Sequence, residues 1–113
     1  MPDGLSQPEY LADNLNKAVV AHLEQRMGAS TLKTLNFHLE LICGVDLSRL
    51  ASDPSGVEKG LRVLFGRGAE EIMRASIFAA FRAARLVPQK EYGSLEDAFR
   101  ELYGKISASQ KIL

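Results

Sequence analysis

The chain has one cysteine, Cys43, among 113 residues, so no disulfide can form within it, and a reducing cytoplasm is the expected compartment. It has no excess of charge either: 14 lysines and arginines balance 14 aspartates and glutamates. A dedicated nucleic-acid protein usually carries a large basic footprint, and this balance argues against one. The apolar runs are far too short to span a bilayer, and nothing reads as a signal peptide, so no membrane partner is expected. Low-complexity tracts are missing as well. With 46% hydrophobic and 25% charged residues, the composition is that of one ordinary globular domain covering 1–113.

Clusters that carry chemistry are also scarce. The two histidines, His22 and His38, are each followed two residues later by a glutamate. On a helix that spacing points the side chains about 200° apart, whereas a shared metal needs a spacing of three or four. Both histidines border apolar stripes and are expected to be boundary residues with a satisfied ring nitrogen. Cys43 ends an apolar segment with no histidine nearby and reads as a small buried hydrophobe. No catalytic dyad or triad assembles, so the expectation is a non-enzyme with no metal and no cofactor.

What is present is helical periodicity, strongest over 53–86. Asp53 can accept from the free N–H groups of a first turn, and Pro54 has its φ preset for the first helical position. Val57, Leu61, Leu64 and Phe65 then recur at spacings of three and four, and Gly66 supplies a stop. A long helix is expected over 68–86, with Glu70 and Glu71 in its first turn offsetting the helix dipole. One of its faces holds Ala69, Ile72, Met73, Ser76, Ala79, Ala80 and Ala83, small enough for a neighbouring helix to come close. Val87-Pro88 is the expected end.

Before this pair, Leu11, Leu15, Ala18, Val19, His22, Leu23 and Met27 form a stripe closed by Gly28, giving a helix near 8–27, with Ser6 and Glu9 as a capping box. The segment 31–43 is ambiguous: Leu35, Phe37, Leu39 and Leu41 alternate as a strand would, while Leu32, Leu35, Leu39 and Ile42 fit a helix. A lone strand would leave its backbone groups unpaired, because nothing else in the chain alternates. Helix is therefore expected, with Ser30 and Thr31 as caps and with Phe37 and Leu41 on a second apolar flank that another helix must cover. The connector 45–52 brings Leu47 and Leu50 to the core. A final helix near 95–107 follows from the Ser94/Asp97 capping signature and the stripe Leu95, Ala98, Phe99, Leu102, Tyr103, Ile106. Residues 1–7 and 108–113 are expected to be loose. The whole reads as an all-α bundle of about five helices around the long helix 68–86.

Charge is unevenly spread along this bundle. Residues 57–90 hold seven basic and three acidic side chains, a net of +4. Arg67, Arg74, Arg82 and Arg85 fall with Phe78 on the side of the long helix opposite the alanines, and Phe81 borders them. Arginine beside an exposed aromatic suits a protein interface or phosphate contacts. A homodimer, or another protein, using Arg67, Arg74, Phe78, Phe81, Arg82 and Arg85 is the leading expectation. Nucleic acid bound through phosphate contacts on the same face is the alternative. A groove-reading helix-turn-helix is disfavoured, because the N-terminal end of the second helix carries Glu70 and Glu71, which phosphates would repel. Gly66-Arg67-Gly68 is a poor phosphate loop for the same reason, and it lacks a preceding strand.

One run also resembles a known family. His38-Leu39-Glu40 with Gly44-Val45-Asp46, then Asp53-Pro54, then Leu61, Leu64-Phe65-Gly66, Gly68-Ala69 and Ile72 are similar to the small helical archaeal module called the Nitrosopumilus output domain. The likeness covers 38–86 and rests on caps and core positions. It implies a helical architecture and a regulatory association with signalling proteins, and it brings no catalytic residues.

Overall fold

Three glycines at positive φ set the corners of the chain in its computed structural model, which describes residues 7–112 and side chains from Leu11 to Ala108. Helix α1 runs Gln7–Met27 and stops at Gly28, whose φ of 90° lets α2, Ala29–Cys43, leave at once in a new direction. Gly44 caps α2 in the left-handed conformation, its N–H on the Glu40 carbonyl. A 3-10 turn, Leu47–Arg49, leads to α3, Pro54–Phe65. Gly66 and a second 3-10 turn, Gly66–Gly68, lead to α4, Ala69–Ala83, and after a connector α5 spans Leu95–Ile112. The described residues contain no strand, and the ambiguous segment 31–43 lies within α2.

Several start signals act as expected. The Asp53 carboxylate accepts from the Gly56 N–H at 3.1 Å, with Pro54 in the first turn. Ser94 Oγ accepts from the Asp97 N–H at 3.1 Å, and Glu58 reaches across from α3 to accept the Leu95 N–H at 2.7 Å. Other boundaries differ. Helix α2 begins at Ala29, with Gly28 in the cap position and no side-chain cap, so Ser30 and Thr31 lie inside it. Helix α5 continues through 108–112, which were expected to be loose. Residues 1–6 and 113, and the Ser6/Glu9 capping box, lie outside the described residues.

Helix α4 ends at Ala83, three residues before the expected 86. Arg85 takes φ 62°, its N–H bonding the Arg82 carbonyl at 2.9 Å while the Leu86 N–H bonds that of Phe81 at 2.9 Å. Those two bonds make a Schellman stop, with arginine where glycine is usual.

The alanine stripe of α4 faces inward: Ala69 and Ala80 are 0% exposed, Ser76 0% and Ala79 6%. Ser76 satisfies its hydroxyl on the Ile72 carbonyl, at 2.7 Å, within its own helix. Ala83, in the final turn of the same stripe, is exposed. Helix α4 packs on α1, α3 and α5, and α3 is as well connected, touching α2, α4 and α5. Helices α1 and α4 run antiparallel, since His22 lies against Phe78 and Arg26 beside Glu71.

The connector 45–52 is held by side chains from three helices. Asn36 Oδ1 accepts the Leu47 N–H and Asn16 Oδ1 the Ala51 N–H, each at 2.8 Å. Asn16 also donates to the Ser48 carbonyl, and Tyr103 Oη donates to that of Ala51 at 2.9 Å. Leu47 and Leu50, 1% and 0% exposed, are thereby fixed in the core.

Candidate functional site

With its small residues turned inward, α4 must present Phe78, Arg74 and Arg82 outward. Phe78 is 46% exposed and forms a ridge between two clefts. One, about 350 Å³, lies toward α3 and the 88–93 connector; Met73, Ile77 and Tyr92 give it apolar lining, and Arg62, Arg74 and Lys90 stand there with Glu70 and Glu91. The other, about 260 Å³, lies against α1, where His22 and Arg26 face Arg74 and Phe78. Arg74 and Phe78 border both.

Three of the cations around the ridge are tied to carboxylates of the same chain. Arg62 meets Glu58 at 2.9 Å and Glu70 at 3.9 Å, Arg74 meets Glu71 at 3.6 Å, and Lys90 meets Glu101 at 3.6 Å. The Arg62–Glu70 and Arg74–Glu71 pairs are exposed, and pairs of this kind contribute only about 0–1 kcal/mol, so an arriving carboxylate can exchange with them at little loss. Tyr92 anchors the connector: its ring stacks on Phe81 at 5.7 Å, Lys90 lies 5.5 Å above the ring, and its hydroxyl donates to Glu101. Burial first, and then the Glu101 hydrogen bond and charge, push the Tyr92 phenol up to about 12. The same hydrogen bond, followed by the charges of Lys90 and Lys105, holds Glu101 below the usual carboxylate range.

The expected contact residues are only partly gathered here. Arg74 and Phe78 sit at the centre, while Arg67, Arg82 and Arg85 are exposed but line neither cleft. Phe81 is a correction: it is 1% exposed, covered by Tyr92, and belongs to the core. Its position on the border of the two helix faces was resolved by a connector residue that periodicity does not place. Arg62, Lys90, Tyr92, His22 and Arg26 were not anticipated at the site, because they come from three other segments and converge only in the fold.

The histidines also separate. His38 donates from Nδ1 to the Thr34 carbonyl at 2.9 Å and is satisfied, though exposed. His22 Nε2 is buried with no hydrogen-bond partner, contrary to expectation, because its ring is turned onto Phe78 at 5.9 Å. Cys43 Sγ points at the Gly60 carbonyl at 4.0 Å. Among the described residues no three histidine, cysteine or carboxylate side chains cluster as a metal site would require, and no helix is long and apolar enough to cross a membrane. Comparison with protein-family models, with curated proteins and with solved structures gives no match.

Proposed function

We propose that the protein is a non-enzymatic, self-associating helical interaction module, and that the outer face of α4 docks an acidic partner protein. The carrying observation is the Phe78 ridge: a large apolar side chain, 46% exposed, flanked by two clefts and by Arg62, Arg74, Arg26 and Lys90. Glu70, Glu71 and Glu91 share the two clefts with these cations, and an aromatic anchor beside arginines is the composition of an interface hot spot. A partner with apolar side chains for the clefts and carboxylates for the guanidinium groups fits this face. A second α4 face would set arginine against arginine and fits it less well. The regulatory association implied by the resemblance over 38–86, and a reducing cytoplasmic setting, belong to the same proposal.

The test is equilibrium binding of the full chain to fluorescent acidic amphipathic peptides and, separately, to a duplex DNA oligonucleotide, each across a salt series. The peptides should bind with a shallow salt dependence and lose about tenfold in affinity on Phe78→Ala. Binding confined to the duplex, steeply salt-dependent and indifferent to Phe78→Ala, would overturn the reading in favour of phosphate contacts.

A further inference from the structure

Helix α2 has two apolar sides. Leu32, Leu35 and Leu39, at 7%, 6% and 0% exposed, face α1 and α3. On the other side Phe37 is 61% exposed and Leu41 69%. The sequence called for another helix to cover these two residues, and among the described residues none does. Edge helices usually turn a polar face to water, so a stripe of this size calls for an occupant.

The charges beside the stripe say which. At about 100° per residue, Lys33 and Glu40 lie within about 20° of each other, on the same flank of the Phe37/Leu41 stripe. Lys33 stands four residues before Phe37 and Glu40 three residues after it. Both are exposed, and neither is ion-paired among the described residues.

We infer that this stripe is the contact between two copies of the chain, packed α2 against α2 in antiparallel fashion about a two-fold axis beside Phe37. Such an axis, perpendicular to both helices, keeps each flank on its own side and reverses the order of residues along it. Lys33 of each copy then meets Glu40 of the other, giving two ion pairs. The two Phe37 rings meet at the axis, and each Leu41 lies along the apolar stem of the opposing Lys33. Parallel packing, about an axis running along the helices, would carry the two Lys33/Glu40 flanks to opposite sides of the pair and form neither ion pair. The face is therefore complementary to itself in one orientation. The inference gives a location to the self-association in the functional reading and makes no use of the α4 face.

Sedimentation equilibrium of the full chain tests it. The native protein should form a dimer that dissociates on dilution, and Leu41→Asp, at a position without a buried role, should weaken association at least about tenfold. Lys33→Glu and Glu40→Lys should each weaken the dimer, and the double exchange should restore it. Phe78→Ala should leave the mass unchanged. A native chain that stays monomeric, a dimer indifferent to Leu41→Asp, a double exchange no better than its singles, or a dimer lost on Phe78→Ala would each overturn the inference. A monomer that instead binds an apolar helical peptide through Leu41 would do so too, by giving the face to a different protein. None of these results changes whether acidic peptides bind α4, so the two proposals fail separately.

Discussion

Arg85 occupies a backbone position that helices ordinarily give to glycine. At φ 62° its Cβ is crowded, and the two hydrogen bonds of the helix stop hold it there. Arg85→Gly should therefore raise stability by about 1 kcal/mol, while Arg85→Ala, which keeps the Cβ, should not. Urea midpoints of the two variants decide it. Tyr92 governs a different property. Its phenol ionises at about 12 in the folded chain against 10.0 for a free tyrosine, so between those values the unfolded chain sheds a proton that the folded chain keeps. Stability present below that window is lost as pH rises through it. Tyr103, raised by burial, acts in the same direction. Tyr92→Phe should flatten this alkaline fall, seen as a smaller drop of the urea midpoint with pH. Glu101 has the opposite sign, because its lowered pKa adds stability near neutrality that fades as pH falls through the carboxylate range.

Between elements, α2 and α3 approach closely at Gly60. A Cβ there would stand 2.9 Å from Leu39 Cδ2 and 3.3 Å from Cys43 Cβ, and Leu39 is 0% exposed, so its displacement must be taken up within the core. Gly60→Val should destabilise by about 2 kcal/mol or more through overpacking, measured by thermal or urea unfolding. The same substitution at exposed Gly104, also within a helix but with nothing within 4 Å, should lack that term. Gly60 shows where helical periodicity stops informing: the 3.6 period names the apolar stripe of α3 but not which neighbour needs a residue without a side chain. The period located the bodies of all the helices and the inward turn of the α4 alanines, since burying one stripe is what makes an amphipathic helix fold. It missed the end of α4 because an arginine in the left-handed conformation leaves no mark in sequence, and Pro88 drew the expected stop too late. It left Phe81 on the surface because Tyr92, the ring that covers it, comes from an irregular connector. The arginine side of α4 was legible, whereas the clefts that give it shape required the fold.

As a whole the molecule measures 42 × 34 × 23 Å, and 23 Å is about two helix diameters. Every helix in a two-layer body keeps an outer side, which is why α2 and α4 both expose side chains that a third layer would have hidden. The same economy of layers falls on the 45–52 connector, where α1, α2 and α5 all send polar side chains to one short piece of backbone. Surface links ordinarily surrender their amide protons quickly, through brief local openings. Here the Leu47 and Ala51 amides, held by Asn36 and Asn16, should exchange with deuterium as slowly as those in the middle of α4, and Asn16→Leu should speed both sites together. Slow exchange there would mean that the link opens only with the domain as a whole, so that its amides register the unravelling of the entire body.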